Sequence, residues 1–195
     1  MSAATPPTIA PSDESLMTAL AGGELAALDP LMLRWQRPLQ AFLRRHLPSD
    51  ADALDLAQET FVRIYRHREN YRPGARFSTW MFQIALNLAR DQARKVTRRR
   101  TDALEALAPE VAAGLAAEGA SPADTARLNE EIIAVRSALL DLAEPLRTAL
   151  ILSEYQALSH AEIAEIVGAT PKAVETRLHR AREKLRVALA RWLNN

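Results

Sequence analysis

Cysteine is absent from the 195 residues, so neither a disulfide framework nor a thiolate metal site is open to this chain. Histidine is sparse, and the four residues His46, His67, His160 and His179 are widely spaced without a ligand pattern, so no metal or other cofactor is expected. No apolar run reaches the length needed to span a bilayer, and the opening MSAATPPTIAPS lacks the positive start and apolar stretch of a signal peptide. The chain is expected to stay in the cytoplasm, without membrane insertion. No fixed acid, base, nucleophile and metal constellation stands out, which speaks against an enzyme. An excess of either charge is lacking too: the net charge is +1, which by itself argues neither for nor against nucleic acid.

What is present is an ordinary soluble composition, 48% hydrophobic and 25% charged, in a length that suits one large domain or two small ones. The charges are segregated. Arg90, Arg94, Lys95, Arg98, Arg99 and Arg100 face Asp91 alone, and the last helix is basic again. Between them, residues 101–131 carry Asp102, Glu105, Glu110, Glu118, Asp124, Glu130 and Glu131 against Arg127. Two basic surfaces separated by an acidic spacer fit two modules that each meet a polyanion through a connection that does not. A purely solvated pattern would not need that segregation.

In chain order, residues 1–12 read as a disordered tail of Ala, Pro, Ser and Thr. Asp13 to Leu47 reads as two or three helical pieces, interrupted at Gly22 and Gly23, with Pro30 and Pro38 at helix starts or a kink and Leu31, Trp35, Leu39, Phe42 and Leu43 as core. The next helix starts at Ser49, with Asp52 as capping partner, and runs to about His67. Ala53, Leu54, Ala57, Phe61 and Ile64 lie on its inner side, whereas Asp55, Gln58, Glu59, Val62, Arg63 and Arg66 face outward. Asp55 and Glu59 would repel phosphate, so this face suits a protein partner better than DNA; a solvated helix face reads equally well. The loop Tyr71 to Phe77 combines aromatics and arginines around a turn, able to stack an unpaired base and hold its phosphate. Ser78 or Thr79 is expected to cap a long helix through about Thr97. Met81, Ile84, Ala85, Leu88 and Ala89 form its packing side, and Gln83, Asn87, Arg90 and Arg94 a polar stripe fit for base edges and phosphates. Trp80 could pack in the core or stack on DNA.

After the connector, Ser121-Pro122-Ala123-Asp124 signals a helix continued by Leu128, Ile132, Val135 and Leu139, and Pro145 starts the next, with Leu146, Ala149, Leu150 and Leu152 as core. LSHAEIAEIVGATPKAVETRLHRAREKL, Leu158 to Leu185, then spells two short helices around a tight turn. Ser159 and Glu162 make a capping box, Gly168 permits a left-handed helix end, and Thr170 with Pro171 starts the second helix. Val174, Leu178, Ala181 and Leu185 share one side; Lys172, Thr176, His179, Arg180 and Glu183 share the other, with Arg177 on a flank. That is the layout of a helix-turn-helix whose second member enters a DNA major groove. An ordinary helical hairpin with a solvated charged face is the plainer alternative.

The order and separation of these stretches resemble the bacterial sigma-70 family, in particular its extracytoplasmic-function group, which contains only the second and fourth sigma domains. The resemblance runs from about Asp13 to Leu189, omitting the connector. DLAQETFVRIYRHRENY, Asp55 to Tyr71, is similar to the family helix that grips the clamp helices of the largest RNA polymerase subunit, which implies polymerase binding by Asp55, Gln58, Glu59, Val62 and Arg63. FSTWMFQIALNLARDQARK, Phe77 to Lys95, is similar to the melting and -10 recognition segment, which implies -10 contacts by Tyr71, Arg76, Phe77, Ser78, Thr79, Trp80, Gln83, Asn87, Arg90 and Arg94. The helix-turn-helix is similar to the -35 reader, with Lys172, Glu175, Thr176, Arg177, His179 and Arg180 toward DNA. Ala173, where the family commonly has glycine, and Glu175, where a base is frequent, depart from the pattern.

The expected fold is all-α. It comprises a tail at 1–12, sigma domain 2 at 13–100, a flexible acidic linker at 101–120 and sigma domain 4 at 121–193. The residues after Leu189 leave no room for a further domain, so control through a C-terminal extension is not expected. The implied function is promoter-directed initiation without catalysis. Its partners would be core RNA polymerase, through the largest and second-largest subunits, promoter DNA and an anti-sigma factor. A free-standing helix-turn-helix regulator with an N-terminal ligand- or protein-sensing domain is the alternative, and an all-helical adaptor or inhibitor-binding decoy a more distant one.

Overall fold

Ser12 lies in extended backbone and its hydroxyl accepts from the Ser15 N–H at 3.1 Å, which starts helix α1, Asp13–Ala21. Gly22 closes α1, and Gly23, at φ 100°, supplies the left-handed residue that turns the chain. A 3-10 turn at Leu25–Ala27 leads into α2, Leu28–His46, which carries Pro38 in its interior. Asp13 joins the two: its carboxylate accepts from Arg34 and from the Trp35 indole, both at 2.9 Å. Helix α3, Asp50–Arg66, opens on Ser49, whose hydroxyl accepts from the Asp52 N–H at 3.1 Å. The computed structural model describes residues 10–102 and 122–193, and every regular element among them is helical.

A second 3-10 turn, Arg68–Asn70, and a loop follow, and α4 spans Phe77–Asp102. It begins earlier than the sequence suggests: Phe77, not Ser78 or Thr79, is its first residue, and it runs beyond Thr97 to the start of the expected linker. Its opening N–H is served from another helix, since Phe77 donates to the Glu14 carboxylate at 3.3 Å. Leu16, Met17 and Leu20 of α1, Leu31, Leu39, Phe42 and Leu43 of α2, Ala53, Ala57 and Ile64 of α3, and Phe77, Met81, Phe82 and Leu86 of α4 form the core of this unit. Its centre is aromatic, with Phe42 and Phe82 at 5.1 Å and Trp35 edge-on to Phe77 and Phe82, each at 6.1 Å.

The second unit comprises α5 (Pro122–Leu140), α6 (Glu144–Glu154), α7 (His160–Val167), α8 (Pro171–Ala188) and α9 (Ala190–Leu193). The expected cap at Ser121 falls outside the described residues. Thr148, Ala149, Ile151 and Leu152 of α6 are buried with Ile163, Ala164 and Ile166 of α7 and Val174, Leu178 and Ala181 of α8. Ile132 and Ile133 stay about two-fifths exposed, so α5 packs through Val135, Ala138 and Leu139 toward its end, and Ile132 does not join the expected stripe. Although the charge pattern suggests separated modules, the units lie together: α7 packs on α4, and α5 and α6 pack on α2. No helix among the described residues is long and apolar enough to cross a membrane.

Candidate polymerase and nucleic-acid interfaces

Helix α3 is tied inward by Ala53, Ala57, Phe61 and Ile64, so its opposite face is free. Asp55, Gln58 and Val62 are exposed there, and half-buried Glu59 accepts from Arg63 one turn on at 3.1 Å. Tyr65 continues the face, at 37% exposure, beside the Arg68 guanidinium that lies 4.7 Å from its ring. The outward set of the sequence thus shares one surface of mixed charge with apolar residues at its end.

Where α3 meets α4 there is an open pocket of about 280 Å³ lined by Arg63, His67, Asn70, Trp80, Gln83, Ile84 and Asn87. Gln83 and Asn87 are exposed along α4 one turn apart, and the half-buried Trp80 ring is the pocket's aromatic wall. Trp80 is braced from behind by Tyr71, ring centroids 5.4 Å apart. A stacking surface beside amide side chains is suited to an unpaired base, since the ring gives area and the amides pair with base edges. His67 and Asn70 were missed by sequence reasoning because they follow α3 and join the pocket only through the turn at Arg68–Asn70.

Three residues of the expected DNA set face inward instead. Phe77 is fully buried against Trp35, Thr79 is 3% exposed, and Tyr71 is 5% exposed with its hydroxyl donating to the Ala75 carbonyl. Burial and the nearby Glu14 and Asp13 push the Tyr71 phenol up to about 12. These side chains shape the loop and the start of α4; a contact with DNA would require them to leave the core. Ser78 is half-buried, while Arg76 and Arg94 are exposed and Arg90 half-buried.

In the helix-turn-helix each local signal is realised. Ser159 and Glu162 close a reciprocal capping box, and Gly168 ends α7 at φ 65°, ψ 49°. Thr170 accepts from the Ala173 N–H at 3.2 Å to start α8. Lys172, Glu175, Thr176, His179 and Arg180 are exposed, with Arg177 half-buried on the flank. Lys172 donates to Glu175 at 2.8 Å and holds that carboxyl below the usual range, so Glu175 partly neutralises the positive charge at the start of the exposed face of α8. Arg182 reaches back to Glu154 at 2.6 Å and ties α8 to the end of α6.

The two surfaces are linked by charge. Arg90 pairs with Glu144 at 3.1 Å, Arg76 pairs with Glu162, and Arg136 pairs with Asp50 while donating to the Pro48 carbonyl at 3.1 Å. Glu162 is held below the ordinary carboxylate range first by its bonds from Ser159, with Arg76 adding to them. At the centre of this contact His46 is buried against Phe42, and desolvation, with Arg147 and Arg90 adding to it, lowers its pKa to about 4. Glu144 and Glu162 were invisible to sequence reasoning as partners of Arg90 and Arg76, because nothing in local spacing sets how the units meet.

Comparison with known proteins follows the same division. The family profile for sigma-70 region 2 matches residues 31–100, and that for sigma-70 region 4 matches residues 132–185. The RNA polymerase sigma-H factor of Pseudomonas aeruginosa is 33% identical over 180 residues, covering 91% of this chain and 93% of that protein. The ECF RNA polymerase sigma-E factor of Escherichia coli K12 is 31% identical over 179 residues, covering 89% and 92%. Among solved structures, CnrH in complex with the cytosolic domain of CnrY is similar with a TM-score of 0.70 and 29% identity, covering 91% of this chain and 97% of that one. The sigma factor RpoE of Bartonella quintana, in complex with the anti-sigma factor NepR, gives 0.72 and 25%, covering 83% and 96%.

Proposed function

Because the chain belongs to the extracytoplasmic-function group of the sigma-70 family, we propose a division of its sigma-factor work among the three surfaces described above. The protein is an RNA polymerase sigma factor: it binds core polymerase and directs promoter-specific initiation. Its family consists of initiation factors rather than enzymes, and nucleotide addition belongs to polymerase. Asp55, Gln58, Glu59, Val62 and Arg63 form the polymerase-binding face of sigma domain 2, residues 13–100. Trp80, Gln83 and Asn87 read an opened -10 base while Arg76, Arg90 and Arg94 hold the phosphates beside it. Ser78 lies at the edge of this surface, and Tyr71, Phe77 and Thr79 support it from within. In sigma domain 4, residues 121–193, Lys172, Thr176, Arg177, His179 and Arg180 meet the -35 duplex, and Glu175 tempers the charge of Lys172. The protein works in the cytoplasm, and a partner of the anti-sigma kind holds it inactive.

The observation that carries this reading is the pocket, where Arg63 of the polymerase-facing helix shares a rim with Trp80, Gln83 and Asn87 of the DNA-facing helix. Polymerase binding and base capture would then be adjacent events. A free-standing regulator is not favoured, because the region 2 match gives the N-terminal unit a place in initiation rather than in ligand sensing. The test is transcription from a promoter library by core polymerase with and without the protein. New starts should share two spaced motifs. Asn87→Ala should change the -10 motif alone, with a base-pair penalty of about 1–3 kcal/mol, and Asp55→Ala with Glu59→Ala should weaken polymerase binding at unchanged helicity. Initiation that is not redirected by the wild-type protein would sink the reading.

A further inference from the structure

Lys172 and Glu175 stand one turn apart at the start of α8, and the Lys172 Nζ donates to the Glu175 carboxylate at 2.8 Å. Both side chains are exposed, 81% and 55%, and among the described residues they bond each other and nothing across the seam between the units. Thr170 caps the helix and buried Val174 and Leu178 anchor it, so α8 is held without help from the pair. An exposed ion pair of this kind contributes little to stability and separates at little cost. A second pair, Arg186 with Glu183 at 3.0 Å, lies three turns farther along α8, whereas a recognition helix meets base edges with its N-terminal residues.

A carboxylate in a major groove meets phosphates on either side and acceptor atoms on most base edges, so it is tolerated only where a base offers an amino group. Cytosine N4 and adenine N6 are the two that do. The pairing partner of each is an acceptor, guanine O6 or thymine O4, held a hydrogen-bond length of about 2.9 Å away. The Lys172–Glu175 pair has the matching form, a donor and an acceptor 2.8 Å apart. Laid against such a base pair, Glu175 takes the second amino hydrogen and Lys172 gives one of its own to the oxygen, so neither charge is left unpaired. Flanking atoms decide between the two base pairs. Adenine N7 beside N6 repels the carboxylate and the thymine methyl crowds the ammonium, whereas guanine N7 beside O6 offers the ammonium a second acceptor. We propose that Lys172 and Glu175 together read one C·G pair of the -35 duplex, Glu175 on cytosine N4 and Lys172 on guanine O6 and N7, and so fix which strand carries the cytosine. This deepens the -35 assignment of α8 and rests on it.

The test is initiation by the holoenzyme, the full chain with core polymerase, on a promoter library randomised over the -35 region. The wild-type protein should favour C·G over the other three pairs at one position by about 5- to 100-fold, the range of one good two-point base contact. Lys172→Glu with Glu175→Lys is the sharpest arm, because it keeps the net charge and the ion pair but reverses its direction. At that position the preference should turn from C·G to G·C, with the other positions unchanged. Glu175→Gln should move it toward A·T, since an amide bonds adenine N6 and N7 together. Glu175→Ala should abolish it. Circular dichroism should find every variant as helical as the wild type, as exposed positions allow. If Glu175→Ala instead strengthens binding to every -35 sequence alike, or the reversed pair keeps the wild-type motif, the carboxylate only offsets charge and the base-reading role is overturned. If Lys172→Ala weakens all sequences alike and leaves the C·G preference intact, Lys172 is a phosphate contact and the joint reading fails. A wild-type library with no -35 motif would sink the assignment of α8 to -35 DNA, whereas a motif indifferent to residues 172 and 175 overturns this proposal alone.

Discussion

The helix-turn-helix and the α3–α4 pocket are the two surfaces proposed to read DNA, yet they are built in opposite ways. The first is assembled from neighbours in sequence: Ser159 with Glu162, Gly168 at its left-handed turn, and Thr170 with Ala173. The second is assembled from parts far apart: Glu14 at the start of α4, Trp35 against Phe77, and Arg63 and His67 across from Gln83 and Asn87. A locally coded surface can be carried by a short segment, whereas a tertiary one depends on the whole unit around it. Perturbations remote from the reading face should therefore damage the pocket more than the helix-turn-helix.

The largest effect is expected at Phe77, which begins α4 yet is fully buried. Phe77→Ala should cost about 3–5 kcal/mol of stability, as emptied aromatic core positions do, and should reduce promoter opening in proportion to unfolding. Phe77→Leu should recover most of both. Thermal unfolding and open-complex formation measured on the same variants distinguish packing from contact. An alanine variant of native stability that fails to open promoters would return Phe77 to the DNA surface.

The same contrast explains what sequence could disclose. The helix-turn-helix was legible to the residue because capping boxes, a left-handed glycine and a first-turn proline are local rules. The outward face of α3 was legible because its apolar positions repeat at helical spacing. The start of α4 was not, since the acceptor for the Phe77 N–H is a carboxylate 63 positions away in the chain. Tyr71 and Phe77 looked like stacking residues because an aromatic beside arginines has the same local appearance whether its ring faces DNA or a core. Glu162 reads as the capping-box partner of Ser159, which it is, and Glu144 lies in the first turn of α6; that they also meet Arg90 and Arg76 depends on tertiary packing alone.

A second perturbation acts between the units through His46, buried and with Nδ1 unpartnered beside the charges of Arg147, Glu144 and Arg90. Burial first, then Arg147, lowers its folded pKa to about 4, below the 6.5 of the unfolded chain. The unfolded state therefore binds the proton more tightly, so this contribution is present above pH 6.5 and is lost as pH falls from 6.5 toward 4. At full extent it amounts to about 3 kcal/mol. His46→Phe, which keeps a ring on Phe42, should flatten stability over that interval. Urea melts of both proteins at pH 7 and pH 5 measure it, and an equal loss in the two would show that other groups carry the acid sensitivity.

The smallest effect separates a local cap from a tertiary one. Ser159→Ala removes a hydroxyl that the Glu162 N–H donates to at 3.3 Å, within a box completed by the Glu162 carboxylate on the Ser159 N–H at 2.8 Å. About 1 kcal/mol should be lost, with weaker -35 duplex binding and an unchanged pocket. Glu14→Gln keeps an acceptor for the Phe77 N–H but removes the charge that favours a helix N-terminus, for about 0.3–1 kcal/mol. Because the acceptor lies on α1, its loosening should spread along the loop whose Tyr71 braces Trp80, leaving -35 binding intact while weakening -10 base capture. Trp80 fluorescence is blurred by Trp35 and Trp192, so amide exchange over residues 71–80 is the cleaner measurement. Faster exchange there in Glu14→Gln but not in Ser159→Ala is the expected result. If both variants disturb residues 71–80 alike, the pocket and the helix-turn-helix are not independently supported, and coupling across the seam outweighs the difference in how the two surfaces are built.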